Sequence, residues 1–311
     1  MSGSDGETEG GELALATDTT SMSERVNATG EPSIRIVHPS DFSQASRVAF
    51  AHALKIAFQT QAQLEIVHVQ RHRIGREKDI HWSEFPGVRA TLARWNILPA
   101  EAPPDEVART GMRIKKILNA ERDPLDALLR YCQDHPPDLL VLATRQREGL
   151  NRLLHQAVAA PLARLSRAMT LFVPAQGRGF IAPATGAVSL RRILIPVDYY
   201  PDGQAALEEA YFLASGFDRS GMHFRLLHVG TDKAMPNLSL PNRPGWTWEK
   251  RVVEGDPVEC ILAEDDAWSP DLIVMATQGH MNFLDALRGS TTERIVRGAH
   301  CAVLAVPQKP V

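Results

Sequence analysis

An apolar run ends in Thr277-Gln278-Gly279, and after nine further residues Gly289-Ser290-Thr291 opens a helical pattern that leads to a second apolar run closing at Val306-Pro307. A glycine at the end of a strand lets the chain turn sharply and lets a bound group approach the main chain. A helix opening at Gly289-Ser290 presents unpaired N–H groups and the positive end of its dipole, which suits a phosphate. These residue types at this spacing point to a loop that wraps a polyphosphate. As a turn and a cap, the same residues need no ligand.

Such a loop needs a strand behind it and a helix in front, and the sequence supplies both twice. Residues 121–144, "ERDPLDALLRYCQDHPPDLLVLAT", align without a gap to residues 254–277, "EGDPVECILAEDDAWSPDLIVMAT", with ten identities in 24 positions. The same offset of 133 residues carries Val173-Pro174 onto Val306-Pro307, and "HPSDFS" at 38–43 matches "IPVDYY" at 195–200. The chain reads as a duplication. Each copy alternates short β-branched runs with amphipathic segments: "IRIVHPSD" or "RILIPVD", a helix, "LEIVHV" or "FRLLHVG", "RIKKIL" or "WEKRVV", a helix opened by Asp-Pro, "DLLVLAT" or "DLIVMAT", a helix, and "TLFVP" or "AVLAVP". Apolar strands alternating with helices imply a parallel sheet covered on both faces. The expected fold class is α/β, two tandem doubly wound five-stranded parallel-sheet domains, Rossmann-like and related by a pseudo-two-fold axis. The last strands, 170–173 and 302–306, would otherwise be exposed edges, so they are expected to pair within one compact chain.

The expected boundaries are a disordered tail over 1–30, rich in Gly, Ser, Thr and Glu, a first domain over 31–175, a linker over 176–190 and a second domain over 191–311. The first domain carries a long insert, 70–111, which reads either as a lid or partner surface or as an excursion folded back on the domain.

Composition narrows the class. With 44% hydrophobic and 23% charged residues the chain is ordinary for a soluble globular protein, and no run approaches the length of a membrane span. A cytoplasmic location and no membrane partner follow as expectations. Lys and Arg exceed Asp and Glu by 21 to 15 over residues 31–190, too thin an excess to imply nucleic acid. Cys132, Cys260 and Cys301 sit in apolar patterns as expected buried free thiols, and His68 and His228, at matching strand ends, read as hydrogen-bonded structural histidines rather than metal ligands. No metal site is expected, and His72 and His81 add no ligand spacing.

The pattern Gly279-x9-Gly289-Ser290, with the Pro-x-Asp strand end, the His-Val strand end, the Gly-Asp-Pro step and the closing Val-Pro, resembles the ATP-binding universal stress proteins over both copies. Ala276 stands where the family signature has its first glycine, and Asn282 where a loop glycine is common. The resemblance implies ATP, with or without Mg²⁺, in the second domain. Asp198 would lie near the adenosine, Pro196 and Val197 would line the base, and Val229 would sit beside adenine. Gly279, Gly289, Ser290 and Thr291 would contact phosphates. Asp198 reads equally as a helix cap, Val229 as core and Ser290 as an N-cap, and Arg288 as an exposed side chain or a phosphate partner.

The first domain has Arg145-Gln146 and Gln156-Ala157 where the second has Gln278-Gly279 and Gly289-Ser290, so one nucleotide per chain is expected. Arg145, Arg147 and Arg152 read as solvated loop charges or as holders of another anion, and Asp41 either as the site aspartate surviving at the end of the first strand or, with Ser43, as a helix cap. No lysine flanks Gly289-Ser290 and no group is set to position water, so the chain is expected to bind ATP with at most slow hydrolysis. The implied role is a stress-response sensor acting through an unknown protein partner, as an intramolecular domain pair that is also open to homodimerisation. The alternative is an interaction or scaffold protein with vestigial sites. A flavin or dinucleotide carrier lacks its glycine fingerprint.

Overall fold

The computed structural model describes residues 34–71, 82–144, 153–217, 220–278 and 291–308. The expected tail over 1–30 lies outside them. The first half contains β1 (Arg35–Pro39), α1 (Gln44–Thr60), β2 (Gln63–Arg71), the short helices α2 (Val88–Arg94) and α3 (Glu106–Arg109), β3 (Arg113–Glu121), α4 (Pro124–Asp134), β4 (Leu139–Thr144), α5 (Leu153–Ser166) and β5 (Met169–Pro174). The second half contains β6 (Arg192–Pro196), α6 (Gly203–Gly216), β7 (His223–Val229), β8 (Thr247–Val253), α7 (Pro257–Trp268), β9 (Leu272–Thr277), α8 (Thr291–Gly298) and β10 (Ala302–Pro307).

Local chemistry sets the helix starts. Ser43 caps α1 by accepting the Ser46 N–H at 3.2 Å. Asp123 and Asp256 cap α4 and α7, each followed by a proline in the first turn, as the two Asp-Pro steps imply. The ten strands make one sheet in the order β3-β2-β1-β4-β5-β10-β9-β6-β7-β8. Pairing is parallel throughout each half and antiparallel where the halves meet, with Phe172 opposite Val303, Leu171 opposite Leu304 and Thr170 opposite Ala305. The expected pairing of the two closing strands is what joins the halves.

Alternation along the strands divides the core between the two faces. Ile36, Leu139, Val141, Leu272 and Val274 face α1 and α6, while Val37, Leu140, Leu142, Ile273 and Met275 pack into the cluster formed with α4, α5, α7 and α8. The described part of the insert adds Phe85, Val88, Leu92, Trp95 and Leu98 to the first of these clusters, so it folds back on its own domain. Cys132 and Cys301 are buried, and burial pushes the Cys132 thiol up to about 12. Cys260 departs from the expectation: it is partly exposed on α7, where its thiol meets the Glu254 carbonyl at 3.7 Å.

Residues 175–191 join β5 to β6 as an ordered strap. Phe180 and Leu190 are fully buried, and the Ile181 N–H donates to Nε2 of His52 on α1 at 3.1 Å. Trp95 Nε1 donates to the Pro183 carbonyl at 3.0 Å, and the Trp95 ring lies under Gly186, where a Cβ would meet it at 2.4 Å. On the other half, Arg178 donates to the buried Asp265 at 3.0 Å and its N–H donates to the His300 carbonyl at 2.7 Å.

Two fully buried histidines make stability depend on acid. His38 bonds the Val141 carbonyl through Nδ1 at 2.9 Å and meets the Ser46 hydroxyl through Nε2; His52 bonds the Val48 carbonyl and receives the Ile181 N–H. Burial lowers both from 6.5 to about 4. The unfolded chain therefore takes up protons at a higher pH than the folded chain does. Stability is full above pH 6.5 and declines as the pH falls towards 4, by up to roughly 3 kcal/mol per histidine. Urea midpoints measured between pH 7 and pH 4.5 are expected to fall steadily, and to fall less in His52→Gln; a flat profile in the parent chain would contradict this origin.

Candidate functional site

In each half strand order reverses once, between β1 and β4 and between β6 and β9, and it is outside the carboxyl ends of strands at such reversals that open α/β sheets bind ligands. At the β6 end Pro196 is half-buried and Val197 is 5% exposed, its N–H donating to the Leu227 carbonyl at 2.9 Å. Asp198 follows, exposed, with one carboxylate oxygen accepting the Tyr199 N–H at 2.8 Å. Val229 ends β7, half-buried, in register with Val253. His228 Nδ1 donates to the Val197 carbonyl at 3.1 Å, which ties the end of β7 to the turn carrying Asp198. Among the described residues its buried Nε2 has no hydrogen-bond partner, and it lies 2.7 Å from where a Cβ on Gly230 would stand.

At the β9 end, the Gln308 N–H donates to the Thr277 carbonyl at 2.8 Å, which holds the last turn of the strand. Thr291 is the first residue of α8 and is exposed. Gly279, Gly289 and Ser290, together with Asn282 and Arg288, lie outside the described residues. Of the expected site, the structure thus brings Pro196, Val197, Asp198 and Val229 to one edge.

The helix after Asp198 is not capped by it. Asp202 caps α6 by accepting the Gln204 N–H at 2.9 Å, while the Asp198 main-chain carbonyl receives Gly203 N–H at 3.2 Å. The sequence reading missed Asp202, although an Asp immediately before "GQAALEEA" is an ordinary N-cap signal. It also missed that Tyr199 and Tyr200, 65% and 59% exposed, stand beside Asp198.

The first half is built differently at the same place. Ser43 N–H donates to the Asp41 carboxylate at 3.0 Å and Ser43 caps α1, so the Asp41–Ser43 pair serves the helix start, one of its two sequence readings. His68 Nδ1 bonds the Ser40 carbonyl at 2.6 Å, the counterpart of the His228 bond to Val197. Both histidines have the structural hydrogen bond read from sequence. α5, described from Leu153, includes Gln156 and Ala157, the positions that match Gly289 and Ser290. Arg145, Gln146, Arg147 and Arg152 lie outside the described residues.

A duplicated, doubly wound chain with two such reversal points defines a Rossmann-like α/β protein by fold. The universal stress protein family model matches residues 34–174 and 241–307, and the chain belongs to that family. Over 147 residues, 39% of this chain and 83% of the relative, it is 26% identical to a universal stress protein of Methanocaldococcus jannaschii. Among solved structures, a universal stress protein from Archaeoglobus fulgidus superposes with a TM-score of 0.58 at 17% identity, covering 88% of this chain and 98% of the other. A functionally unknown protein from Pseudomonas aeruginosa superposes with a TM-score of 0.57 at 14% identity, covering 88% and 92%. Among the described residues, no helix is long and apolar enough to cross a membrane.

The two aspartates are separable by experiment. Asp202→Ala is expected to lower unfolding free energy by about 1 kcal/mol through the lost cap, and Asp198→Ala to change it by less than about 0.5 kcal/mol. Denaturant titration of both variants checks this; an Asp198→Ala loss as large as that of Asp202→Ala would assign Asp198 to the fold.

Proposed function

We propose that the chain is a stress-response nucleotide-binding module that takes up one ATP, with or without Mg²⁺, at the carboxyl edge of its second half. In this reading Pro196, Val197 and Val229 line the base, Asp198 faces the adenosine, and Gly279, Gly289, Ser290 and Thr291 receive the phosphates. One observation carries it. Two halves on the same plan differ at this edge, since the Asp198 carboxylate stands exposed while Asp202 caps α6, whereas the matching Asp41 is engaged with Ser43 at the start of α1. The sequence supports the same assignment, because Gly289-Ser290, a glycine and a hydroxyl suited to a phosphate, are replaced in the first half by Gln156-Ala157.

The module acts in the cytoplasm as a sensor or store that signals through a protein partner, with hydrolysis slow at most. Phosphoryl transfer relies on positioned charge, and no lysine flanks Gly289-Ser290 to supply it.

Calorimetric titration of the whole chain is expected to count one ATP. Gly289→Leu is expected to abolish that binding, and Gln156→Ala to leave it within about twofold, an energy difference of about 0.4 kcal/mol. Two equivalent sites would refute the asymmetry, and no site in the parent chain would favour the scaffold reading. Sustained turnover of several ATP per second by protein free of contaminating ATPase would refute the sensor role.

A further inference from the structure

The amino edge of the second half, at the far end of its strands from Asp198, brings together donor atoms from two elements. The last turn of α7 carries Asp265 and Asp266 and no basic residue, and His300 stands just before β10. Among the described residues, these three form a group in which a ring nitrogen and two carboxylate oxygens lie within 4.8 Å of one another. His300 Nδ1 is 3.2 Å from Asp265 Oδ2 and 3.1 Å from Asp266 Oδ1. Asp265 and His300 are 35 residues apart in the chain, so sequence alone shows no ligand spacing.

The fold holds these groups in place. Asp265 is fully buried, with Arg178 donating to Oδ1 at 3.0 Å and the His300 N–H donating to Oδ2 at 2.6 Å. The His300 main chain is held in turn by the strap. Its carbonyl accepts the Arg178 N–H at 2.7 Å, and Gly177 lies so close that a Cβ would meet that carbonyl oxygen at 2.5 Å. The side chains of His300 and Asp266 are 57% and 69% exposed, which leaves the outer side of the group open to water. The first copy shows the same helix end and strand start without these donors. Cys132, Gln133 and Arg167 stand at the matching positions, a thiol, an amide and a cation.

The geometry points to a site for one divalent transition-metal ion of the Zn²⁺ class, bound by His300 Nδ1, Asp265 Oδ2 and Asp266 Oδ1, with water completing the shell. Ligand atoms around a tetrahedral Zn²⁺ are about 3.3 Å apart, close to both separations from Nδ1. One imidazole nitrogen with two carboxylates suits Zn²⁺ or Co²⁺, whereas Ca²⁺ and Mg²⁺ call for a shell of oxygens. With the ring neutral, two carboxylates against one guanidinium leave a net negative charge, and the negative end of the α7 dipole adds to it. Arg178 bonds the other oxygen of Asp265, so it orients that ligand without occupying the metal's side. The competing account of the same distances is an ion pair between a protonated His300 and both aspartates. The site lies away from the proposed nucleotide edge and does not depend on that reading.

Zn²⁺ alone is the probe, titrated into the untagged full chain in buffer free of nucleotide and followed by calorimetry and by the imidazole NMR signals of His300. The parent chain is expected to take up one Zn²⁺, with those signals shifting in step, and to take up no Ca²⁺ at the same concentration. His300→Gln and Asp266→Asn are each expected to weaken binding at least about tenfold, and Cys260→Ser, at the partly exposed thiol nearer the start of α7, to change it by less than about threefold. Because the ion joins α7 to the strand start that the strap clamps, Zn²⁺ is also expected to raise the thermal midpoint of the parent and not that of His300→Gln. A parent chain that takes up no Zn²⁺ below millimolar concentration overturns the inference and leaves His300 as an ion-pair partner. Binding that survives His300→Gln unchanged overturns it too, by placing the ion elsewhere. Should His300→Gln fail to fold, Asp266→Asn is judged by the same two outcomes.

Discussion

The antiparallel contact between β5 and β10 is the constraint on which the remaining structure rests. In each half the last strand is apolar on both faces: Leu171 and Val173 are fully buried, Phe172 is 6% exposed, and Val303 and Leu304 are 1% and 3% exposed. Burying a side chain of this size contributes about 1.5–3 kcal/mol, and leaving such a strand as an open edge invites association with other chains. Pairing the two strands with each other removes both edges at once. The outer edges that remain, β3 and β8, carry Lys115, Lys116, Glu249, Lys250 and Arg251 instead, the charged pattern that discourages edge-to-edge pairing. Because the pairing is antiparallel, strands of the first half run against those of the second, and the carboxyl edges of the two halves lie at opposite ends of the sheet. One edge can change without disturbing the other.

The same pairing dictates the strap. From the end of β5 the chain must pass β10 and β9 before it can begin β6. Residues 175–191 make that crossing tied to both halves, through His52 and Trp95 on one side and Asp265 and His300 on the other. One of these ties uses a group that has no room to move. His52 is held neutral by burial, and Gly179 packs so closely on its ring that a Cβ would meet Cε1 at 2.6 Å.

How much of this could be read from the sequence depends on whether the signal is local. Strands of β-branched residues, Asp-Pro helix starts and the repeat itself are local and repeated, so the doubly wound pair was legible before any coordinates. Charge networks were not. Glu65 on β2 is fully buried, bound by Tyr131 at 2.8 Å and Gln63 at 2.6 Å, with Lys115 at 3.6 Å in register beside it. Its counterpart on β7 is Arg225, in register with Glu249 and paired with both Glu249 and Glu264. The same place in the same fold carries opposite charge in the two copies, each stabilised by a complementary neighbour. Neither residue alone announces this, because only the strand register reveals the partner.

The functional edge was half legible for the same reason. Spacing points to the Gly279–Ser290 loop and the family resemblance to Asp198, and the fold carries Asp198 to the β6–β9 reversal. What spacing cannot show is which aspartate a helix uses as its cap. The Pro-x-Asp turn occurs in both copies, yet Asp41 acts with Ser43 at the start of α1 while Asp202 takes the cap of α6 and leaves Asp198 in solvent. A side chain that terminates a helix is held by that role, and one released from it can meet a ligand. Moving the cap two residues along the chain, from the place of Ser43 to Asp202, therefore changes what an otherwise similar turn can do. The aromatic that follows changes with it: Phe42 folds inward over His68, and Tyr199 stays outside. Cap and ring together leave one copy with its turn engaged by its own helix and the other with a carboxylate facing solvent, so duplication here yields two unlike edges within one sheet.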